Sequence, residues 1–322
     1  MNEAPGAVPL EAITSARERL RSVLIRTPLV PLDGSRDGAR IYLKLDNLLP
    51  TGSFKVRGAG NSLAAALERG PVKGVFTTSA GNMAQALAWH ARRLGVPCTA
   101  IVPDTAPETK LAGIRRFGAQ LIQLPWGELW KVMQTGTYAP LEGQLYVPPF
   151  NHPDMIAGNG TLGLELHEDL AEFDTVFVPF GGGGLITGIA SALRALRPSA
   201  RVVACEPATA APFTASLKSG SASHVHRTPS FVDGIGIDAV LPEMWERLHG
   251  LVRESRVLSL EEIAAAVKFL FERHRVVAEG AAGTSLAAAQ EEGPASKVSV
   301  AVISGGNIDP AVLMRILSGS LA

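Results

Sequence analysis

The chain has 322 residues, 46% apolar and 19% charged, with 30 basic and 30 acidic side chains. This length and apolar content support one large α/β domain or two domains with a real core, and they exclude a disordered chain. The zero formal net charge excludes a global basic field for nucleic acid or an anionic membrane, so a small molecule is the expected partner.

The N-terminus "MNEAPGAVPL" has neither a basic stretch nor an apolar core, so no signal peptide is expected and a cytoplasmic location is. The first unusual stretch is "LLPTGSFKVRGAGN", Leu48 to Asn61. It sets Lys55 between a turn-like "PTGS" and the apolar run "NSLAAALERG". The pattern then predicts a strand in "KGVFTTS", a turn at Ala80, Gly81 and Asn82, and a helix in "MAQALAWHARRLG". Next come a strand in "CTAIVP", a helix in "APETKLAGIRRFG" and a strand in "AQLIQLP". The segment "WGELWKVMQTGTYAPLEGQLYVPPFNHPD" is weakly patterned and reads as a crossing between two units.

Beyond it, the strand "DTVFVPF" leads into Gly181, Gly182, Gly183, Gly184 and Leu185, then the helix "LITGIASALRALRP". The uncharged run from Thr175 to Leu193 is long enough for a membrane span, but Pro179 and the glycines divide it into a strand, a loop and a helix. A strand in "ARVVACEP", a helix in "SLEEIAAAVKFLFERH" and a strand in "KVSVAVIS" complete the series, the last ending at Ser304 before "GGN". Near-continuous apolar strands alternating with helices predict an α/β fold: two open parallel-sheet domains with helices on both faces and a ligand cleft between them. Cys98 and Cys205 lie in apolar strand runs and read as buried free thiols. The chain has no CxxC or HExxH pattern, so no zinc site is expected.

In open α/β sheets, ligands bind at the carboxyl ends of strands. Three glycine-containing turns stand there: after "VFTTS", after "VFVPF" and after "AVIS". The four-glycine loop lets backbone N–H groups converge on an anion at a helix N-terminus. No lysine follows it and it does not fit GxGxxG, so it suits a single phosphate rather than a nucleotide fingerprint. Taken singly, Asn82 is also a plausible helix cap, Ser304 a turn residue and Lys55 a solvated amine. Together an amine, a phosphate cradle, an amide and a strand-end hydroxyl form the set that pyridoxal phosphate requires.

At this point the sequence resembles the fold-type II pyridoxal-phosphate enzymes, in particular the serine/threonine dehydratases. The resemblance runs through "LRSVLIRTPLVPL", "YLKLDNLLPTGSFKVRGAGN", "SAGNMAQALAWHARRLGVPCTAIVP", "KLAGIRRFGAQLI", "VPPFNHPDMIAGNGTLGLEL", "VFVPFGGGGLITGIA", "DGIGI" and "VISGGN". It implies a large cofactor-binding domain from residues 1–68 and 152–322 and a small mobile substrate domain from 69–151. It implies that Lys55 forms the Schiff base and then takes the Cα proton. Ser53, Phe54 and Asn82 would contact the cofactor, Asn82 at its 3′ oxygen; Gly181 to Leu185 would hold the phosphate and Ser304 the ring nitrogen. Gly234 and Glu279 would line the far side, and Ser79, Ala80, Gly81, Asn82 and Met83 would meet the substrate. The implied activity is α,β-elimination from L-threonine or L-serine to a 2-oxo acid and ammonia, by a homodimer. A dehydratase for 3-hydroxyaspartate or 3-phenylserine, a cysteine synthase-like enzyme, and a non-catalytic binding protein are the alternatives.

Three positions depart from the family pattern. Ala80 replaces a serine found in relatives that racemise serine, which implies little racemase activity. Met83 stands where many relatives have histidine, and it suits either packing or an apolar substrate group. Glu206 keeps one ligand of a divalent-cation site found in some relatives, but Pro212 takes the second position, so no tight divalent site is expected.

Overall fold

The structure, a computed structural model, describes residues 6–34 and 38–320. Residues 1–5, part of the stretch that argues against a signal peptide, lie outside them.

In chain order the strands are β1 (Leu29–Pro31), β2 (Arg40–Leu45), β3 (Val75–Thr78), β4 (Cys98–Pro103), β5 (Gln120–Leu124), β6 (Leu145–Tyr146), β7 (Thr175–Pro179), β8 (Arg201–Pro207), β9 (Glu254–Leu258) and β10 (Val298–Ile303). The helices are α1 (Leu10–Leu20), α2 (Lys55–Arg69), α3 (Asn82–Leu94), α4 (Glu108–Arg115), α5 (Trp126–Thr135), α6 (Pro153–Asp169), α7 (Gly184–Leu196), α8 (Pro212–Ser219), α9 (Pro242–Leu248), α10 (Leu260–Phe269), α11 (Gly280–Glu292) and α12 (Pro310–Ser318). They build two sheets. The larger has the order β1-β2-β10-β7-β8-β9 and the smaller β5-β4-β3-β6. Every pairing is parallel except β1 with β2.

The predicted α/β class with two parallel sheets is what forms. All six predicted strands are present, and β1, β2, β6 and β9 are additions. The segment read as a crossing is more ordered than expected, because it holds α5 and β6, and β6 pairs with β3 in the smaller sheet. No helix among the described residues is long and apolar enough to cross a membrane. The uncharged run from Thr175 divides as expected into β7, the glycine loop and α7.

Packing explains how α2 is held. Val56, Ala59 and Leu63 on α2 enter the core of the smaller sheet, beside Val75, Leu87 and Ala100. The opposite side of α2 meets α6 so closely that a Cβ on Gly58 would come within 2.8 Å of the Met155 carbonyl. A buried ion cluster locks this contact. Arg57 donates to Asp46 at 2.7 and 2.9 Å and to Glu165 at 2.6 and 3.0 Å, while Lys44 bridges Glu165 and Asp169 at 2.7 and 2.8 Å. Burial pulls the Arg57 pKa down, but Asp46 and Glu165 outweigh it and the pKa rises. Removing one member would leave an uncompensated buried charge, at about 3–5 kcal/mol. The cluster thus fixes the helix whose first residue is Lys55.

Candidate active site

Where the carboxyl ends of the two sheets meet, a cavity of about 360 Å³ opens. Its lining draws on the turn before α2, the N-termini of α3 and α7, and the loop after β10, which the sequence pattern singled out separately.

Backbone bonds fasten these pieces together. The Phe54 N–H donates to the Ser304 carbonyl at 2.9 Å, and Gly306 N–H donates to Gly52 O at 2.9 Å. Ser53 pairs with Gly305 as an isolated bridge. The turn before Lys55 is strained at Thr51, whose φ is 107°, while Gly52 takes φ 71° without cost. Strain of this kind persists only where the surroundings over-determine it, and it clusters at functional sites. Lys55 opens α2 and donates from Nζ to the Pro149 carbonyl at 2.7 Å. Desolvation pushes its pKa down to about 8, with Glu279 pulling the other way.

Glu279 stands opposite, at the start of α11. Desolvation pushes its carboxyl up to about 7, against the hydrogen bond from Asn82. Asn82 Nδ2 lies 3.0 and 3.1 Å from the two Glu279 oxygens. In the glycine loop Gly183 has φ 85°, a conformation L side chains rarely adopt. A Cβ on Gly184 would lie 2.5 Å from the Phe150 carbonyl, and one on Gly182 would come within 2.3 Å of the Phe150 ring atoms Cγ and Cδ1. No side chain caps α7, so its first N–H groups face the cavity uncovered by their own helix.

The cavity lining includes Phe54, Lys55, Ser79, Ala80, Gly81, Asn82, Met83, Gly181 to Leu185, Gly234, Glu279 and Ser304. Ser53 differs. It is fully buried beneath the lining, and its hydroxyl has no partner among the described residues. Met83 both faces the cavity and packs, at 2% exposure, in the core of the smaller sheet.

Gln85, Lys110, Phe150, Asp233 and Asn307 also line the cavity; all five fall within the stretches that carry the resemblance, but the pattern alone assigned them no role. Lys110 on α4 pairs with Asp233 on the opposite rim. Gln85 lies three residues beyond Asn82 on α3 and therefore on the same face, a spacing that could have marked it. Glu206 is engaged elsewhere: it accepts from Phe213 N, Thr214 N and Thr214 Oγ1 at 2.8, 2.8 and 2.6 Å, capping the helix that Pro212 begins.

Comparison with known proteins gives a consistent set. The family described as "Pyridoxal-phosphate dependent enzyme" matches residues 20–305. The L-threonine ammonia-lyase of Thermotoga maritima is 39% identical over 98% of this chain and 79% of its own. The L-threo-3-hydroxyaspartate ammonia-lyase of Saccharomyces cerevisiae is 34% identical over 95% of each chain. Among solved structures, maize serine racemase superposes with a TM-score of 0.86 at 30% identity, covering 98% of both chains.

Proposed function

The chain belongs to the pyridoxal-phosphate-dependent enzyme family, and from that premise we propose that it is a dehydratase, or ammonia-lyase, of β-hydroxy amino acids such as L-threonine and L-serine. The observation that carries this reading is Lys55: an amine lowered to about 8, facing a cavity shared with a glycine cradle and a strand-end serine.

The residues fit the cofactor. Ser304 lines the cavity at 1% exposure, and its hydroxyl has no protein partner among the described residues. The glycine loop offers backbone donors with no side chain in the way, and Lys55 is a nucleophile held by a single carbonyl. In this reading Gly181 to Leu185 hold the phosphate, Ser304 meets the ring nitrogen, and Asn82 meets the phenolic oxygen. Phe54, Gly234 and Glu279 line the remaining sides, and Ser53 supports the floor.

Bound pyridoxal phosphate supplies a carbonyl that condenses with amines and a ring that takes up the electron pair left when Cα loses its proton. Lys55, neutral in useful amount near pH 8, accepts that proton on Nζ. The N–H groups of Ser79 to Asn82, at the positive end of the α3 dipole, hold the substrate carboxylate. Ser304 offers a hydrogen bond without a full charge, so a carbanion receives less support than a carboxylate partner would give it. Expelling the β-oxygen relieves that charge, and elimination is favoured. Overall the Cα–H and Cβ–O bonds break and the oxygen leaves as water. The resulting enamine then takes up water and releases ammonia to give the 2-oxo acid.

Ala80 has no exchangeable proton to deliver to the face opposite Lys55, which favours lyase over racemase activity. A second reading, an acidic substrate such as threo-3-hydroxyaspartate, is favoured by Lys110 in the cavity lining, but Asp233 already neutralises that ammonium. The reading includes a body of residues 1–68 and 152–322, a smaller mobile unit of 69–151, and a cytoplasmic homodimer, which light scattering tests. Release of 2-oxo acid from L-threonine, L-serine, threo-3-hydroxyaspartate and 3-phenylserine, alongside O-acetylserine with sulfide, tests the substrate class.

A further inference from the structure

A primary amide can be turned end for end at almost no steric expense. What decides which end faces a ligand is the donor or acceptor character of its neighbours. At Asn82 that choice matters, since one end is NH₂ and the other a carbonyl oxygen. The neighbours that settle it form a row beginning at the Thr51 carbonyl, which can only accept. The Asn307 atom 2.7 Å from it is therefore the nitrogen, and the same nitrogen lies 2.8 Å from Asn82. With both Asn307 N–H bonds donating, the facing Asn82 atom must accept and is Oδ1. The Asn82 nitrogen is thereby turned to Glu279, 3.0 and 3.1 Å from its oxygens.

Asn307 has little freedom to swing away, although it stands exposed at the rim. Its Oδ1 lies against Gly52, where an added Cβ would come within 2.7 Å. The carbonyl it binds belongs to Thr51, the strained residue of the turn before Lys55. Asn307 and Glu279 come from the larger sheet's side and Asn82 from the smaller's, so the row also ties α3 across the cleft.

We propose that Asn307 is a positioning residue that, with Glu279, sets the orientation of the Asn82 amide, so that its NH₂ is the end offered to Glu279 and to the cofactor's phenolic oxygen. The inference rests on the reading of this cavity as the pyridoxal-phosphate site. Without Asn307, only the Glu279 carboxyl still holds the Asn82 amide. An inverted amide would oppose its carbonyl oxygen to that carboxyl and to the phenolic oxygen, acceptor against acceptor. The loss therefore removes one of the two groups that set the orientation, and an acceptor at position 307 works against the other.

Asn307→Asp keeps the shape and replaces the donor with an acceptor, while Asn307→Ala removes the donor without adding repulsion. The probe is pyridoxal phosphate added to apoprotein with no substrate present, followed by tryptophan fluorescence and by the pH midpoint of the visible absorbance. Asn307→Asp is expected to weaken binding about tenfold and to move the midpoint by about one pH unit. Asn307→Ala should act in the same direction with a smaller effect. In an Asn82→Ala background the same Asn307 substitutions should change both quantities less than about twofold, because the group they orient is gone. Circular dichroism of each apoprotein checks the fold.

Unchanged affinity and midpoint in Asn307→Asp and Asn307→Ala would overturn the role. So would equal effects in both backgrounds, the pattern expected if Asn307 only braces the Thr51 turn. A wild-type chain that takes up no pyridoxal phosphate would overturn the underlying reading as well.

Discussion

Lys55→Met removes the amine and leaves a side chain of similar length, so it separates what the site needs chemically from what the fold prefers. The fall of the Lys55 pKa from 10.5 to about 8 corresponds to about 3 kcal/mol of unfavourable charge desolvation. Lys55 is partly open to the cavity, and solvent there screens about a third of that. The hydrogen bond to the Pro149 carbonyl, worth about 1 kcal/mol, is also lost. The variant apoprotein should therefore be more stable than wild type by about 1 kcal/mol at pH 7.

The pH dependence has a definite sign. The folded pKa lies below the unfolded one, so the penalty is complete below pH 8, where both states are charged. It fades between pH 8 and 10.5 as the folded amine loses its proton first. The advantage of methionine should shrink through that window and reverse near its top, where only the missing hydrogen bond counts. Denaturant unfolding of both cofactor-free proteins at pH 7 and at high pH measures this, and the difference cancels groups common to both. A variant less stable than wild type at pH 7, or a difference that does not change with pH, would refute the argument that the site holds its amine against a desolvation penalty.

Other expectations follow from the same geometry. Cofactor uptake by the apoprotein should speed up with pH about a midpoint near 8, because the neutral Lys55 amine is the nucleophile; stopped-flow absorbance would show it. Gly182→Ala sets a Cβ about 2.3 Å from the Phe150 ring atoms within the glycine loop and, on the proposed reading, should weaken cofactor retention by tenfold or more, read by equilibrium dialysis. Ala80→Ser adds a hydroxyl to the cavity lining and, on the proposed reading, should raise conversion of L-serine to D-serine at least about tenfold, followed by chiral chromatography.

Much of the fold was legible because parallel strands buried on both faces form apolar runs, as in β7 and β10, where every residue is buried. Strand β2 was hidden by Lys44, which reads as a surface residue until Glu165 and Asp169 are brought to it by α6. Strand β9 carries the polar pattern of an edge strand, and β6 is only two residues long. The strand-end turns were readable only as a set: glycine and serine are ordinary turn residues singly, but three such turns stand at the carboxyl ends of parallel strands, where α/β sheets bind ligands. Lys110 and Asp233 were not readable, because they meet from positions 123 residues apart. Asn307 lay within a recognised motif, but its part depends on Thr51, 256 residues away. Ser53, two residues before the lysine in the same motif, is fully buried and is not among the residues lining the cavity.

The most direct test of the central claim is parallel assay of 2-oxo acid and ammonia released from L-threonine and L-serine by the pyridoxal-phosphate-loaded enzyme, with Lys55→Met as control. Equal amounts of the two products, lost in the variant, are the expected result. Absence of both products from every β-hydroxy amino acid, with cysteine formed from O-acetylserine and sulfide instead, would contradict the account.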